Sequence, residues 1–167
     1  MPKGIKETSG LIVISADITE SAANTFTDSR VDLQLNPLDN EVFVVYGIDL
    51  DVSAPELIAA TTTDSRLSVS TTERTTVGGI GSPNVLAHSR ITTQELAGAA
   101  VTNSFASDSA PSTMLEYLGI IATNDFFVNI TGNNNVGTML GSVRLYGVRG
   151  KADASVYAAL VQSELLS

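Results

Sequence analysis

Glu41-Val42-Phe43-Val44-Val45-Tyr46-Gly47-Ile48-Asp49-Leu50-Asp51-Val52 is the stretch that decides the fold. Taking every second residue places Val42, Val44, Tyr46, Ile48, Leu50 and Val52 on one face of a strand, all apolar. The other face begins with Phe43 and Val45 and turns at Gly47 to Asp49 and Asp51, so its far half must meet water, a partner or a cation. At roughly 3.3 Å per residue the run spans about 40 Å, longer than an ordinary strand and suited to a large sandwich.

On its N-terminal side, Asn36-Pro37-Leu38-Asp39-Asn40 reads as a turn, because Pro37 fixes one backbone angle and Asp and Asn tolerate left-handed geometry. Before it, Phe26 to Leu35 alternates with Val31, Leu33 and Leu35 on one face, and Leu11 to Ser15 reads as a first short strand. Ala16 to Thr27 is expected to be a loop or one helical turn, and residues 1–10 a flexible arm rich in Lys, Gly, Thr and Ser.

On the C-terminal side, Ser53-Ala54-Pro55 stops the strand. A Thr- and Ser-rich strand is expected within 59–76, and another over Val85 to Thr93. Between them, Val77 to Asn84 is glycine-rich but lacks the lysine and the strand–helix setting of a phosphate loop, so it reads as a plain loop. Leu96 to Ala110 reads as a long surface connection or irregular strand, Pro111 to Met114 as a change of direction, Leu115 to Ala122 as an apolar segment and Phe126 to Ile130 as a short buried strand. Thr131-Gly-Asn-Asn-Asn-Val-Gly137 is expected to close a hairpin into a last strand, Met139 to Val148. Ala152 to Leu166 is the one helix predicted. Val156, Tyr157, Leu160, Val161 and Leu165 recur at helical spacing, and Asp153 or Ser155 can cap the start. Its apolar face is expected to pack on its own sandwich or on a neighbouring subunit.

Composition narrows the function. The 167 residues suffice for one domain that folds without staples, and the absence of Cys removes disulfides, thiol catalysis and thiolate metal sites. A single His, at position 88, argues against a transition-metal enzyme and is expected to be structural. Eighteen acidic against nine basic residues give a net charge of −9, which repels phosphate, and the cations are scattered, so direct nucleic-acid binding is not expected. No signal-peptide core and no apolar run long enough to span a membrane is visible, so a soluble protein is expected.

No catalytic constellation is legible, and no cofactor is expected. Asp49 and Asp51 are the calcium candidates, since carboxylates sharing one strand face can contribute to a hard-cation site. Two alternate acids alone do not define one. No nucleophile elbow surrounds any serine, and a carboxylate pair of glycosidase type is not selected by anything in the chain.

Eight or nine short strands, Thr/Ser/Gly/Asn-rich connections and a terminal helix describe an all-β, antiparallel β-sandwich, a single jelly roll with a short C-terminal helix. The expected organisation is an arm over 1–10, the sandwich over 11–151 and the helix over 152–167. The Glu41–Val52 strand with its Ser53-Ala54-Pro55 stop, the segment Asp125-Phe-Phe-Val-Asn-Ile-Thr-Gly-Asn-Asn-Asn135 and the closing Ser142-Val-Arg-Leu-Tyr-Gly-Val-Arg-Gly150 resemble the single jelly-roll capsid proteins of tailless icosahedral bacterial and archaeal viruses. The resemblance implies a non-enzymatic virion shell protein, made in the host cytoplasm, whose partners are copies of itself and other capsid proteins, with an internal membrane or another protein as inner neighbour. It implies that the arm and the helix tie subunits together. The rival expectation is a β-sandwich binding module for a carbohydrate or a receptor, using a groove lined by several of Tyr46, Tyr117, Tyr146, Asp49 and Asp51. A hydrolase using scattered carboxylates ranks last.

Overall fold

Glu41–Val52 is strand β4 with the bounds read from the sequence. The computed structural model describes residues 1–107, 109–111 and 113–166. Asp108 in the expected 96–110 connection, Ser112 in the expected change of direction at 111–114 and Ser167 at the end of the expected helix lie outside the described residues.

In chain order the strands are β1 (Ile5–Glu7), β2 (Ile12–Thr19), β3 (Thr27–Asp32), β4 (Glu41–Val52), β5 (Thr62–Ser70), β6 (Val85–Leu96), β7 (Ala99–Ala106), β8 (Gly119–Ile121), β9 (Asp125–Asn133) and β10 (Leu140–Ala152), followed by helix α1 (Ala154–Leu166). All pairings are antiparallel and they nest: β2 with β10, β3 with β9, β4 with β8, and β5 with β6. One sheet runs β2-β10-β4-β8, with β1 continuing the β2 edge along β10, and the other runs β3-β9-β5-β6-β7. A long hairpin with its tip between β5 and β6, rolled up so that its paired arms alternate between two sheets, is a jelly roll. Strand β7 is an addition on the β6 edge.

The core between the sheets holds Phe43, Val45, Ile48, Leu67, Val69, Phe126, Val128, Ile130, Val143 and Leu145. Strict alternation along β4 therefore does not hold. Phe43 and Val45 face this core in the first half and Ile48 and Val52 in the second, while Val42 and Val44 face a separate cluster on the outer side. The reversal is a β-bulge: Val45 lies opposite Gly147 and Gly47 opposite Tyr146, so Tyr46 is an extra residue on β4. The six-residue apolar face expected from the sequence is thus divided between two clusters, both of them buried.

Helix α1 covers the outer cluster. Val156, Tyr157, Leu160 and Val161 pack on Ile5, Val42, Val44, Ala122, Val148 and Ala152 of their own sandwich. Asp153 caps the helix, accepting from the Val156 N–H at 2.9 Å and the Ser155 hydroxyl at 2.9 Å. The Val156 N–H, and then the Ser155 hydroxyl, hold its carboxyl below the usual carboxylate range.

Three local expectations are corrected. Residues 1–10 are not wholly an arm, because Ile5–Glu7 pairs with Gly150–Ala152 and the Asp153 N–H donates to the Gly4 carbonyl at 2.9 Å. Ile5 is buried over Gly150, where a Cβ would come within 2.6 Å of its side chain. The glycine- and asparagine-rich 131–137 stretch turns the chain but closes no hairpin, since β9 and β10 lie in different sheets. Its amides are held by two distant carboxylates: Glu20 accepts from Gly132 and Met139, and Glu56 from Val136 and Gly137. The tight hairpin is elsewhere. Ala97 and Gly98, with φ of 53° and 82°, join β6 to β7, so the 96–110 stretch, expected as a surface connection or an irregular strand, holds a regular and exposed strand.

Candidate functional site

The β4 bulge turns Asp49 and Asp51 outward on the far half of the first sheet. Register places Asp17 of β2 and Asp51 of β4 on either side of Ser142, and Ser15 and Asp49 on either side of Arg144. These side chains line a shallow groove of about 310 Å³ together with Leu50 and Val143. Two of the three carboxylates, Asp17 and Asp49, already have protein partners. Tyr146 donates its hydroxyl to Asp49 at 3.0 Å, Ser142 donates to Asp17 at 2.6 Å, and Arg144 donates to the Tyr146 oxygen at 3.4 Å. Hydrogen bonding to Tyr146, with the charge of Asp49 beyond it, raises the Arg144 pKa.

Among the described residues no group of three or more His, Asp or Glu is arranged to hold a metal ion. Nor do the tyrosines line the acidic groove. Tyr46 and Tyr117 pack in the outer apolar cluster under the helix, and Tyr146 acts as a donor beside the groove. Asp17 was hidden because Ala16 to Thr27 reads as a loop, yet Ile12, Ile14, Ala16 and Ile18 alternate with Val13, Ser15 and Asp17 far enough to have extended the strand.

His88 lies on β6 in the second sheet, nearly buried, with its ring centroid 6.1 Å from that of Phe105. Burial pushes its pKa down, and Arg90 and Arg66 act in the same direction, so the imidazole stays neutral at pH 7.

The feature that the sequence concealed is β7. Its eight residues, Ala-Ala-Val-Thr-Asn-Ser-Phe-Ala, are all exposed, carry no charge and no proline, and among the described residues pair only with β6. Val101 is 59% exposed and Phe105 40%. The edge is held in place rather than loose: Glu95 accepts from the Gly98 N–H of the β6–β7 turn at 2.7 Å and from the Ala60 N–H of a neighbouring turn. These two N–H groups, Ala60 first, hold the Glu95 carboxyl below its usual range.

Comparison with known proteins gives a likeness of shape without one of sequence. No family model matches the chain, and no curated protein matches it. Among solved structures, the chain is similar to the Merkel cell polyomavirus VP1 unassembled pentamer, with a TM-score of 0.37 and 6% identity over 87% of this chain and 96% of that one. VP1 of trichodysplasia spinulosa-associated polyomavirus gives a TM-score of 0.37 and 6% identity over 87% of this chain and 97% of the other. A desmodium yellow mottle tymovirus chain gives 0.32 and 10% over 93% and 96%. These neighbours are viral jelly-roll capsid proteins. The jelly-roll assignment made above rests on this chain's own strand order.

Proposed function

We propose that this chain is a structural subunit of a virus particle, a major or minor capsid protein that assembles with copies of itself into an icosahedral shell. The observation that carries the reading is β7. A free strand edge presents a row of unpaired N–H and C=O groups, and proteins that remain monomeric blunt such edges with lysine, proline, bulges or a covering segment. Along its eight residues β7 has no lysine and no proline, and both of its faces are exposed. The occupant that suits it is another extended strand, such as the same edge of a second copy. With a net charge of −9 the subunit suits a protein neighbour better than packaged nucleic acid. Helix α1 packs on its own sandwich, which leaves the sheet edges and loops as the contact surfaces.

The test is sedimentation of concentrated protein followed by electron microscopy of any fast fraction. Discrete oligomers or closed shells are expected. A strictly monomeric protein in every salt condition would overturn the reading and turn attention to carbohydrate or receptor ligands of the acidic groove. Val101→Lys places a charge on the free edge and is expected to reduce the assembled fraction at least about tenfold. Because Val101 is a surface residue, its thermal midpoint should stay within about 2 °C of wild type.

A further inference from the structure

The sequence of β7 reads nearly the same in both directions from Asn103. Thr102 answers Ser104, Val101 answers Phe105, and Ala100 answers Ala106. A strand with that symmetry can pair antiparallel with a second copy of itself across a two-fold axis, each side chain meeting one of its own kind.

The ladder to β6 decides which residues are available for such a pairing. In an antiparallel pair, residues that bond to the neighbouring strand alternate with residues that point their N–H and C=O away from it. The Ser107 N–H donates to the His88 carbonyl at 2.9 Å, and Ser107 continues the register in which Ala106 lies opposite Ser89 and Ala99 opposite Leu96. Counting back by twos, Phe105, Asn103, Val101 and Ala99 bond to β6, whereas Ala106, Ser104, Thr102 and Ala100 turn their backbone groups to the free edge. Self-pairing must therefore set members of this second group opposite one another. Centring on Asn103 does so for all of them, with Ala100 opposite Ala106 and Thr102 opposite Ser104. On the other face Val101 then meets Phe105 of the second copy, apolar against apolar, and Asn103 meets Asn103 in a non-hydrogen-bonded pair. Centring on Thr102 sets Val101 against Asn103, centring on Ser104 sets Phe105 against Asn103, and both leave edge groups of β7 unpaired.

Charge does not oppose the contact. β7 carries none, and behind it on β6 Arg90 lies opposite Phe105 and Gln94 opposite Val101. Across the axis, Arg90 of one copy therefore falls in line with Gln94 of the other and not with a second arginine.

We propose that β7 pairs with β7 of a second copy, antiparallel and centred on Asn103, joining two five-stranded sheets into one. The inference rests on the reading of β7 as an assembly edge and adds its partner, orientation and register. A two-fold contact closes on itself, so each edge is covered once and the dimer is the unit from which a larger assembly grows.

The chain has no cysteine, so a single introduced thiol reports its own neighbour. In a non-hydrogen-bonded antiparallel pair the opposed Cα atoms are about 4.5 Å apart, within reach of a disulfide. The full chain carrying Asn103→Cys, mildly oxidised at concentrations where wild-type mass rises, should form a covalent dimer at least about tenfold faster than Thr102→Cys or Ser104→Cys, whose thiols are opposed only in the shifted registers. Val101→Cys should cross-link to Phe105→Cys in a mixture and not to itself. These positions are all exposed, so the reduced variants should keep the wild-type thermal midpoint within about 2 °C. Cross-linking of Thr102→Cys or Ser104→Cys as fast as that of Asn103→Cys overturns the register. Wild-type mass that rises while Asn103→Cys forms no covalent dimer overturns the pairing and leaves the shell reading standing, with β7 seated on a different segment. Wild-type mass that never rises overturns both.

Discussion

Gly147→Ala is expected to lower the thermal midpoint by about 6 to 12 °C, corresponding to about 3 kcal/mol or more. Gly147 sits beside the β4 bulge, where the extra Tyr46 pushes the β4 backbone against β10. A Cβ at position 147 would lie 2.3 Å from the Val44 carbonyl oxygen and 2.4 Å from the Phe43 ring. Backbone and a fully buried aromatic cannot yield as a flexible side chain would, so the strand pair must separate or Phe43 must leave its place in the core. Gly81→Ala is the control. Its Cβ would have nothing within 4 Å, and its midpoint should move by less than about 2 °C. Equal effects at the two positions would mean that the bulge does not bring β4 and β10 as close as described.

The second large effect is at Glu164 near the end of α1. Although charged, it is only 5% exposed. Its carboxylate accepts from the Ala122 N–H at 2.8 Å and the Thr123 N–H at 3.0 Å, and its carbonyl accepts from Asn84 at 3.1 Å. It thereby fastens the helix to the end of β8. Glu164→Ala removes the acceptor from two amides, the one at Ala122 buried, and should cost about 3 kcal/mol, a fall in midpoint of roughly 6 to 12 °C. Glu164→Gln keeps one carbonyl acceptor and should fall between. The neighbouring Leu165 is 69% exposed, so Leu165→Ala should change stability by no more than about 0.5 kcal/mol. Paired unfolding curves check this. A larger loss at Leu165 than at Glu164 would mean that α1 docks with a different face.

That pair also shows where sequence reading stops. Valines, alanines and leucines lie on most sides of α1, so period alone groups Leu165 with the buried face and leaves Glu164 in solvent. The amides that Glu164 satisfies are about 40 positions away, as the Ala122 and Thr123 bonds show, and nothing local announces them. Glu20 and Glu56 were invisible for the same reason. Strand content, the turn at Asn36–Asn40, the capping Asp153 and the outward pair Asp49 and Asp51 were legible, because alternation and turn chemistry act over a few residues. The bulge was not: its cause lies partly on the opposite strand, at Gly147, and it reverses the faces of β4 without altering its apolar content. The 131–137 stretch was recognisable as a turn, but turn residues do not say which sheet the next strand joins. Ala97-Gly98 went unmarked as a hairpin because an alanine occupies its first left-handed position, where Asn or Asp usually signals such a turn. With that turn missed, β7 read as a surface connection or an irregular strand, and the free edge central to the proposed function stayed hidden.

Amide hydrogen exchange followed alongside light-scattering mass, from dilute to concentrated protein, tests the role of that edge most directly. If β7 is the assembly edge, the amides of Ala99–Ala106 that do not bond to β6 should become protected in step with rising mass, while those of the acidic face on β2 stay unchanged. Mass that rises with no added protection on β7, or β7 exchange that stays fast at every concentration, would contradict the account.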